Sequence, residues 1–251
     1  MRSKFIASVA LAVSAMFGIG AASAADIPMK AAPRVAPAFS WTGCYIGVHA
    51  GGGVLLDKGF NNLAVADKHG IGALAGGQAG CNYQTGMLVL GIEGEGFWSG
   101  MKVNSDFFGI NSNTLFETTS IRNKYDYDIA GRFGLALDRA LVYGKAGWVA
   151  SRFDWYSRTL NFCGNCSTTT GSATLDGLLI GIGLEYAFLG NWTAKFEYDY
   201  LGFAAKNVNF TTVFNSGAIN NQIQNVSADK HIFKVGVNYL FNAGSPVVAR
   251  Y

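Results

Sequence analysis

Ionisable side chains recur at alternate positions of otherwise apolar or glycine-rich stretches, and these are the residues with the clearest capacity for chemistry. Glu93, Glu95, Asp128, Glu185, Glu197 and Asp199 supply carboxylates, while Arg132, Lys145, Lys195 and Lys234 supply cations. Carboxylates brought together could act as general acid and base, and a file of acids and bases could pass protons or ions. If the file is enclosed, the two signs would pair instead, because an unpaired buried charge costs several kcal/mol. The catalytic use finds no support. The histidines are His49, His69 and His231, and none stands in a recognisable relation to a serine or cysteine nucleophile. No enzyme activity, cofactor or metal is expected.

The four cysteines, Cys44, Cys81, Cys163 and Cys166, form the second reactive set. Cys163-Gly164-Asn165-Cys166 is a CxxC, which suits a redox site, half a zinc site or a small disulfide that stiffens a loop. No thioredoxin-like βαβ pattern surrounds it and no second ligand pair lies nearby, so the disulfide is the expected form. Cys44 and Cys81 fall at similar levels of two neighbouring predicted strands, on the same face, and a cross-strand disulfide is expected between them.

The elements that must position these residues are strands. From Asp176 to Leu201, Leu178, Ile180, Ile182, Leu184, Tyr186 and Phe188 alternate with Leu179, Gly181, Gly183, Glu185 and Ala187. After Leu189-Gly190-Asn191, Trp192, Ala194, Phe196, Tyr198 and Tyr200 alternate with Thr193, Lys195, Glu197 and Asp199. Period two on both sides of a short Gly-Asn turn is a β-hairpin. The same alternation predicts strands over about 41–53, 71–84, 87–98, 125–137, 141–153 and 231–241. That makes eight with the hairpin. Short turns near Gly86, Arg139 and Gly190 alternate with four long polar loops, the second spanning about Ser99 to Lys124 and the last about Gly202 to Ser227.

The chain has 251 residues, 50% of them hydrophobic and only 14% charged, with 33 glycines. Its mean hydropathy is +0.21. That charge content is roughly half the usual share for a soluble domain. A net charge of +3, with scattered lysines and arginines, excludes an argument for nucleic acid. Arg2 and Lys4, an apolar run from Phe5 to Ile19 and Ala22-Ser23-Ala24 make residues 1–24 a cleavable export signal. Residues 25–40, with Pro28, Pro33 and Pro37, are expected to be a flexible leader. Beyond the signal no uncharged apolar run is long enough for a spanning helix, yet the exported chain is unusually apolar. A membrane β-barrel reconciles the two, because its apolar residues occupy alternate positions.

The charged set falls entirely on the non-apolar parity. A soluble barrel would turn the apolar face inward. Aromatic residues decide against it: Trp98, Tyr127, Tyr200 and Phe233 mark one level of the apolar face, and Tyr83, Phe188, Trp192 and Phe241 the other. Two aromatic girdles around an aliphatic band are what a bilayer selects. The expected architecture is an all-β, eight-stranded, antiparallel up-and-down transmembrane barrel over residues 41–241, followed by a tail over 242–251. Its lumen holds the charge network, which either closes the barrel or conducts.

WTGCYIG (Trp41 to Gly47), GGQAGCNYQ (Gly76 to Gln84), GIGLEYAFLGNWTAKFEYDYL (Gly181 to Leu201) and FKVGVNYLF (Phe233 to Phe241) resemble an alphaproteobacterial outer-membrane barrel family. That family includes RopB, the major outer-membrane proteins of related pathogens and some haemin-binding surface proteins. The resemblance implies an OmpA-like barrel in the cell outer membrane and a role in envelope integrity. Outer-membrane lipid and lipopolysaccharide would be its partners, with periplasmic chaperones and the barrel-assembly machinery during biogenesis. A small-solute porin and a haemin receptor are the alternatives it leaves open. No residue-level haemin motif carries over. Family chains usually end on the last-strand aromatic, whereas here Phe241 is followed by Asn242 to Tyr251.

Overall fold

The computed structural model describes residues 39–57, 68–107, 116–160 and 166–242. The signal segment, most of the leader, the end of the tail and Cys163 lie outside them. Eleven strands follow in chain order: β1 (Gly43–Asp57), β2 (Lys68–Thr85), β3 (Leu88–Ser99), β4 (Lys102–Phe107), β5 (Phe116–Leu137), β6 (Ala140–Leu160), β7 (Ser167–Leu189), β8 (Trp192–Phe203), β9 (Lys206–Phe214), β10 (Ile219–Val226) and β11 (Ala228–Asn242).

Eight of them close a ring. β1 pairs β2, β2 pairs β3, β3 pairs β5, β5 pairs β6, β6 pairs β7, β7 pairs β8, β8 pairs β11, and β11 returns to β1, all antiparallel. Closure leaves no open edge, so the ring's backbone amides find inter-strand partners on both sides, apart from the register shifts at Lys124 and Phe188. In hydrocarbon that is a requirement rather than a preference. The eight-stranded up-and-down barrel read from the alternation is therefore the observed fold.

Three tight turns join strands at one end. Gly86 and Gly190 take left-handed backbone angles in two of them (φ +60° and +50°), where a side chain is unfavourable. Asp138 takes the same region in the third (φ 52°), a conformation aspartate tolerates better than most residues. Short turns mark the periplasmic end of such barrels.

At the other end the strands run further than their alternation indicates. β5 has 22 residues, β6 has 21 and β7 has 23, about twice the 9–11 that cross a bilayer. The polar stretches expected to be loops over 99–124 and 202–227 contain β4, the first part of β5, and the β9–β10 hairpin. β4 continues β3 and pairs β5, while β9 continues β8 and pairs β7. These segments are rich in Thr, Ser and Asn but keep an inward apolar parity, in Val103, Ile121, Val208 and Phe210. That parity is enough to hold them as ribbons above the membrane.

The outer surface of the ring is apolar. Ile182 is 59% exposed, Phe196 53% and Val235 57%. Leu178, Ile180, Leu184, Ile129 and Phe133 face outward with them. A soluble barrel would have buried this set, and its exposure fixes the inside-out polarity. The interior differs from the expected run of glycine and charge. A cluster including Phe153, Trp155, Leu175, Phe203, Phe210 and Ile232 fills the outer end. Trp41, Val89, Ala136, Leu141, Tyr143 and Ala187 close the periplasmic end. The charged side chains lie between two apolar plugs.

Ile182 stands about midway between the two aromatic levels on β7. Ile182→Arg should destabilise the folded barrel in lipid by about 2–4 kcal/mol, whereas Thr170→Arg, on the ribbon beyond the membrane, should cost about 0–1. Urea titration in lipid vesicles, followed by the heat-modifiable shift on gels, measures both; equal stability of the two variants would contradict the assigned lipid face.

Candidate functional site: a filled and charged lumen

Each inward side chain owes its place to strand parity, and the depth at which it sits follows from register. β3 aligns Glu95 with Asp128 of β5, and β8 aligns Glu197 with Lys234 of β11. β5 aligns Arg132 with Lys145 of β6, and β7 aligns Glu185 with Lys195 of β8. One layer of the lumen thus receives charges from six strands. Glycines opposite the largest side chains leave them room. A Cβ at Gly183 would lie 2.4 Å from the Tyr143 ring, and one at Gly181 would lie 2.1 Å from Asp199 Oδ1.

Lys145, Lys195 and Lys234 form the centre. Lys145 Nζ lies 2.8 Å from Glu197, 3.3 Å from Glu95, 3.5 Å from Glu93 and 3.6 Å from Asp199. Lys195 Nζ donates to Glu95 Oε1 at 2.7 Å and lies 3.5 Å from Glu93 and 3.6 Å from Glu197. Lys234 Nζ is paired with Glu95, with Glu197 at 2.8 Å and with Asp199 at 2.6 Å. All of these side chains are buried.

Arg132 organises the layer toward the periplasm. One of its nitrogens donates to Glu185 Oε2 at 2.8 Å, and another reaches Tyr45 Oη and, at 3.5 Å, Glu93. Its guanidinium lies 3.9 Å from the centre of the Tyr143 ring, a cation–π contact. The Tyr45 hydroxyl donates to Glu93 at 2.8 Å and the Tyr143 hydroxyl to Glu197 at 2.6 Å. Glu185 Oε1 also accepts from Thr193 at 2.5 Å and from Asn238 at 2.8 Å. Asn238 accepts in turn from Gln78, whose Oε1 lies 2.6 Å from His49 Nδ1.

Nine of the ten ionisable residues singled out from the sequence therefore share one connected network. The exception is Asp128. It is buried, yet neither carboxylate oxygen has a protein hydrogen-bond partner or an ion pair among the described residues. Several members carried weaker signals. Tyr45, Tyr143 and His49 lie on the inward parity, but alternation does not say that hydroxyls or imidazoles join a charge network. Asp126, Ser151 and Lys230 form a second ionic group nearer the cell surface: Lys230 pairs with Asp126 and donates to Ser151 at 3.0 Å. Lys230 also lies 4.9 Å and 5.2 Å from the Phe153 and Phe203 ring centres. Asp126 shares the parity of Asp128 and was legible; Lys230 was not, because the last strand begins earlier than its alternation suggests.

The carboxylate oxygens of Glu93, Glu95 and Glu197 lie within 4.8 Å of one another, a spacing that could hold a cation. Lys145 and Lys195 already stand within 3.6 Å of all three residues. The protein supplies its own cations there.

Cys44 and Cys81 are direct cross-strand partners on β1 and β2 and are joined by a disulfide, with Cα atoms 3.9 Å apart. Cys166 is a free, half-buried thiol, and its expected partner Cys163 lies outside the described residues. His69 is exposed on β2 rather than in a loop, and His231 Nδ1 lies 2.7 Å from the Tyr198 hydroxyl.

A closed eight-stranded ring with a lipid-facing apolar belt and a polar, filled lumen defines an integral outer-membrane β-barrel. Residues 9–241 match the outer membrane protein beta-barrel domain family, and the chain belongs to it. It is 29% identical to the 31 kDa outer-membrane immunogenic protein of Brucella melitensis biotype 1, over 96% of this chain and 100% of that one. It is 30% identical to the 22 kDa outer membrane protein of Rhizobium leguminosarum bv. viciae, over 68% of this chain and 69% of that one. Among solved structures, a major outer membrane protein from Thermus thermophilus aligns over 79% of this chain and 99% of that one. Its TM-score is 0.51 at 14% identity, a likeness of fold alone. The protein resides in the outer membrane.

Lys234 touches three carboxylates, so its removal leaves buried negative charge uncompensated. Lys234→Met should destabilise the barrel by about 3–5 kcal/mol, and adding Glu95→Gln to that variant should restore part of the loss. Denaturant unfolding in lipid vesicles reads both; an unchanged midpoint in the single variant would show that the network carries little stability.

Proposed function

We propose that this barrel is sealed and serves the envelope mechanically, as a rigid outer-membrane element that carries its extended ribbons beyond the membrane surface. The observation that supports this reading is the stacking of three obstructions along one narrow lumen. At the periplasmic end Trp41 is almost fully buried. Its indole donates to the Asp138 carbonyl at 3.1 Å, and its amide donates to Gln84 Oε1 at 2.8 Å. In the middle lies the Lys145–Lys195–Lys234 layer, in which each lysine sits against several carboxylates. At the outer end Phe153, Phe203, Trp155 and Phe210 pack edge to face and tilted against one another, with centroid distances of 5.8 Å.

An eight-stranded barrel has an interior about wide enough to be filled by side chains, so these residues need no special size to occlude it. Conduction would require the ion pairs to separate and an apolar plug to move at the same time. The porin reading lacks such a path. Haemin binding, the other alternative, has one exposed imidazole among the described residues, His69, and no observation that favours it. No reaction is assigned: the carboxylates are neutralised by lysines and arginine rather than poised beside a bond-breaking site.

The test is conductance of the mature chain refolded into a planar bilayer, with folding verified by the heat-modifiable gel shift. The expected record is flat, without discrete steps, in moderate salt at neutral pH. Reproducible unitary steps from the folded barrel would overturn the sealed reading and bring the porin forward.

A further inference from the structure

The outward face of the ribbons changes character at one level. On β6, Trp148 faces lipid, and Arg152 lies four residues further along the same face, roughly 10 Å higher once strand tilt is allowed for. On β5, Tyr127 and Tyr125 face lipid and Lys124 and Arg122 come next. Tyr127 packs edge-on against Trp148 at 5.7 Å, completing this part of the outer aromatic girdle. Basic side chains immediately beyond a girdle stand at the depth of lipid headgroups.

These cations line a concave groove of about 800 Å³ on the outer face of β5, β6, β7 and β9, with hydroxyls of Ser120, Tyr156, Thr170 and Ser172 beside them. Its one carboxylate, Asp154, is taken by Lys124 at 2.5 Å and lies 3.9 Å from Arg152 Nε. Arg122 has no protein anion among the described residues. Lys102, its direct cross-strand partner on β4, has none either. Like charges directly opposite on one face of a sheet destabilise the pairing. Burial of Ile121 and Val103 turns both cations outward, and an anion shared between the two side chains would reverse the sign of their interaction.

We propose that this groove binds the phosphorylated sugar headgroup of lipopolysaccharide in the outer leaflet. A guanidinium offers two parallel N–H donors to one phosphate, and the ammonium of Lys102, cross-strand from Arg122, adds charge without geometric demand. The hydroxyl row suits sugar hydroxyls. A volume of about 800 Å³ matches a headgroup larger than a single phosphate. The site lies on the outer face of the ribbons at the membrane surface, outside the lumen, so it stands or falls independently of whether the lumen conducts.

The experiment uses the folded mature chain in detergent and native mass spectrometry with four probes: bisphosphorylated lipid A, its dephosphorylated form, phosphatidylglycerol and inorganic phosphate. Bound bisphosphorylated lipid A is expected on the wild-type barrel, and roughly tenfold weaker binding on Arg122→Gln, the scale of one lost charge-assisted hydrogen bond. Lys102→Ser should weaken binding too, yet raise the unfolding midpoint of the lipid-free barrel by relieving the like-charge pair. That opposite movement separates a binding role from a merely structural one. Binding of both variants at the wild-type level would overturn the proposal. So would equal retention of dephosphorylated lipid A, or equal competition by phosphatidylglycerol or inorganic phosphate, either of which would reduce the groove to an unselective basic surface.

Discussion

A strand in hydrocarbon has no water for its amides, so each must bond to a neighbouring strand, and a finite sheet meets that demand only by closing on itself. The pairing of β8 with both β7 and β11, and of β1 with both β2 and β11, is that closure. Much else follows from it. Outward positions must suit lipid, so every second residue across the belt is apolar or aromatic. Inward positions must fit a tube of fixed width, so bulky residues lie over glycine on the neighbouring strand, as Tyr143 lies over Gly183. The glycine content is a packing consequence of closure at eight strands.

Placing charge inside such a tube is costly unless each group is compensated. Desolvation of an ion costs several kcal/mol, and only close partners of opposite sign offset it. Lys145, Lys195 and Lys234 each touch several carboxylates, so the stabilisation is spread over a lattice of contacts rather than over isolated pairs. The apolar plugs above and below serve the same end. In the sealed barrel proposed above they exclude water and keep the local dielectric low, which strengthens each ion pair and makes each unpaired polar atom more expensive. Asp128, buried without a cation, marks where that compensation is incomplete.

Much of this was legible in the sequence because the barrel repeats one rule, outward apolar and inward small or charged, along every strand. Period two gave the strands, their faces and nine members of the network, as well as the levels of Cys44 and Cys81. It failed at the strand ends. Across the membrane surface the outward residues turn from Trp and Tyr to Arg, Lys, Ser and Thr, while the inward ones turn from small or charged to apolar, so a hydropathy pattern tuned to lipid-facing strands reads the continuation as loop. The network's extra members, Tyr45, Gln78 and Asn238, were hidden for another reason: parity gives the face of a residue and not how far its side chain reaches across the lumen.

The irregularity between Asn123 and Tyr125 on β5 shows how the chain manages that surface. Within the membrane the odd residues of β5 (Tyr125, Tyr127, Ile129) face lipid. Continued without interruption, that parity would turn Ile121 and Asn123 outward and Arg122 and Lys124 inward, burying cations in the aromatic plug and exposing isoleucine to water. A one-residue slip exchanges the two faces of a strand. Beyond the bulge Ile121 is indeed buried and Arg122 exposed. β6 needs no such device, because its even residues change from Trp148 to Arg152 and Asp154 while Phe153 and Trp155 already point inward. The bulge therefore converts β5 from an inside-out strand to an ordinary one at the level where its surroundings change from lipid to water, and it puts Arg122 opposite Lys102.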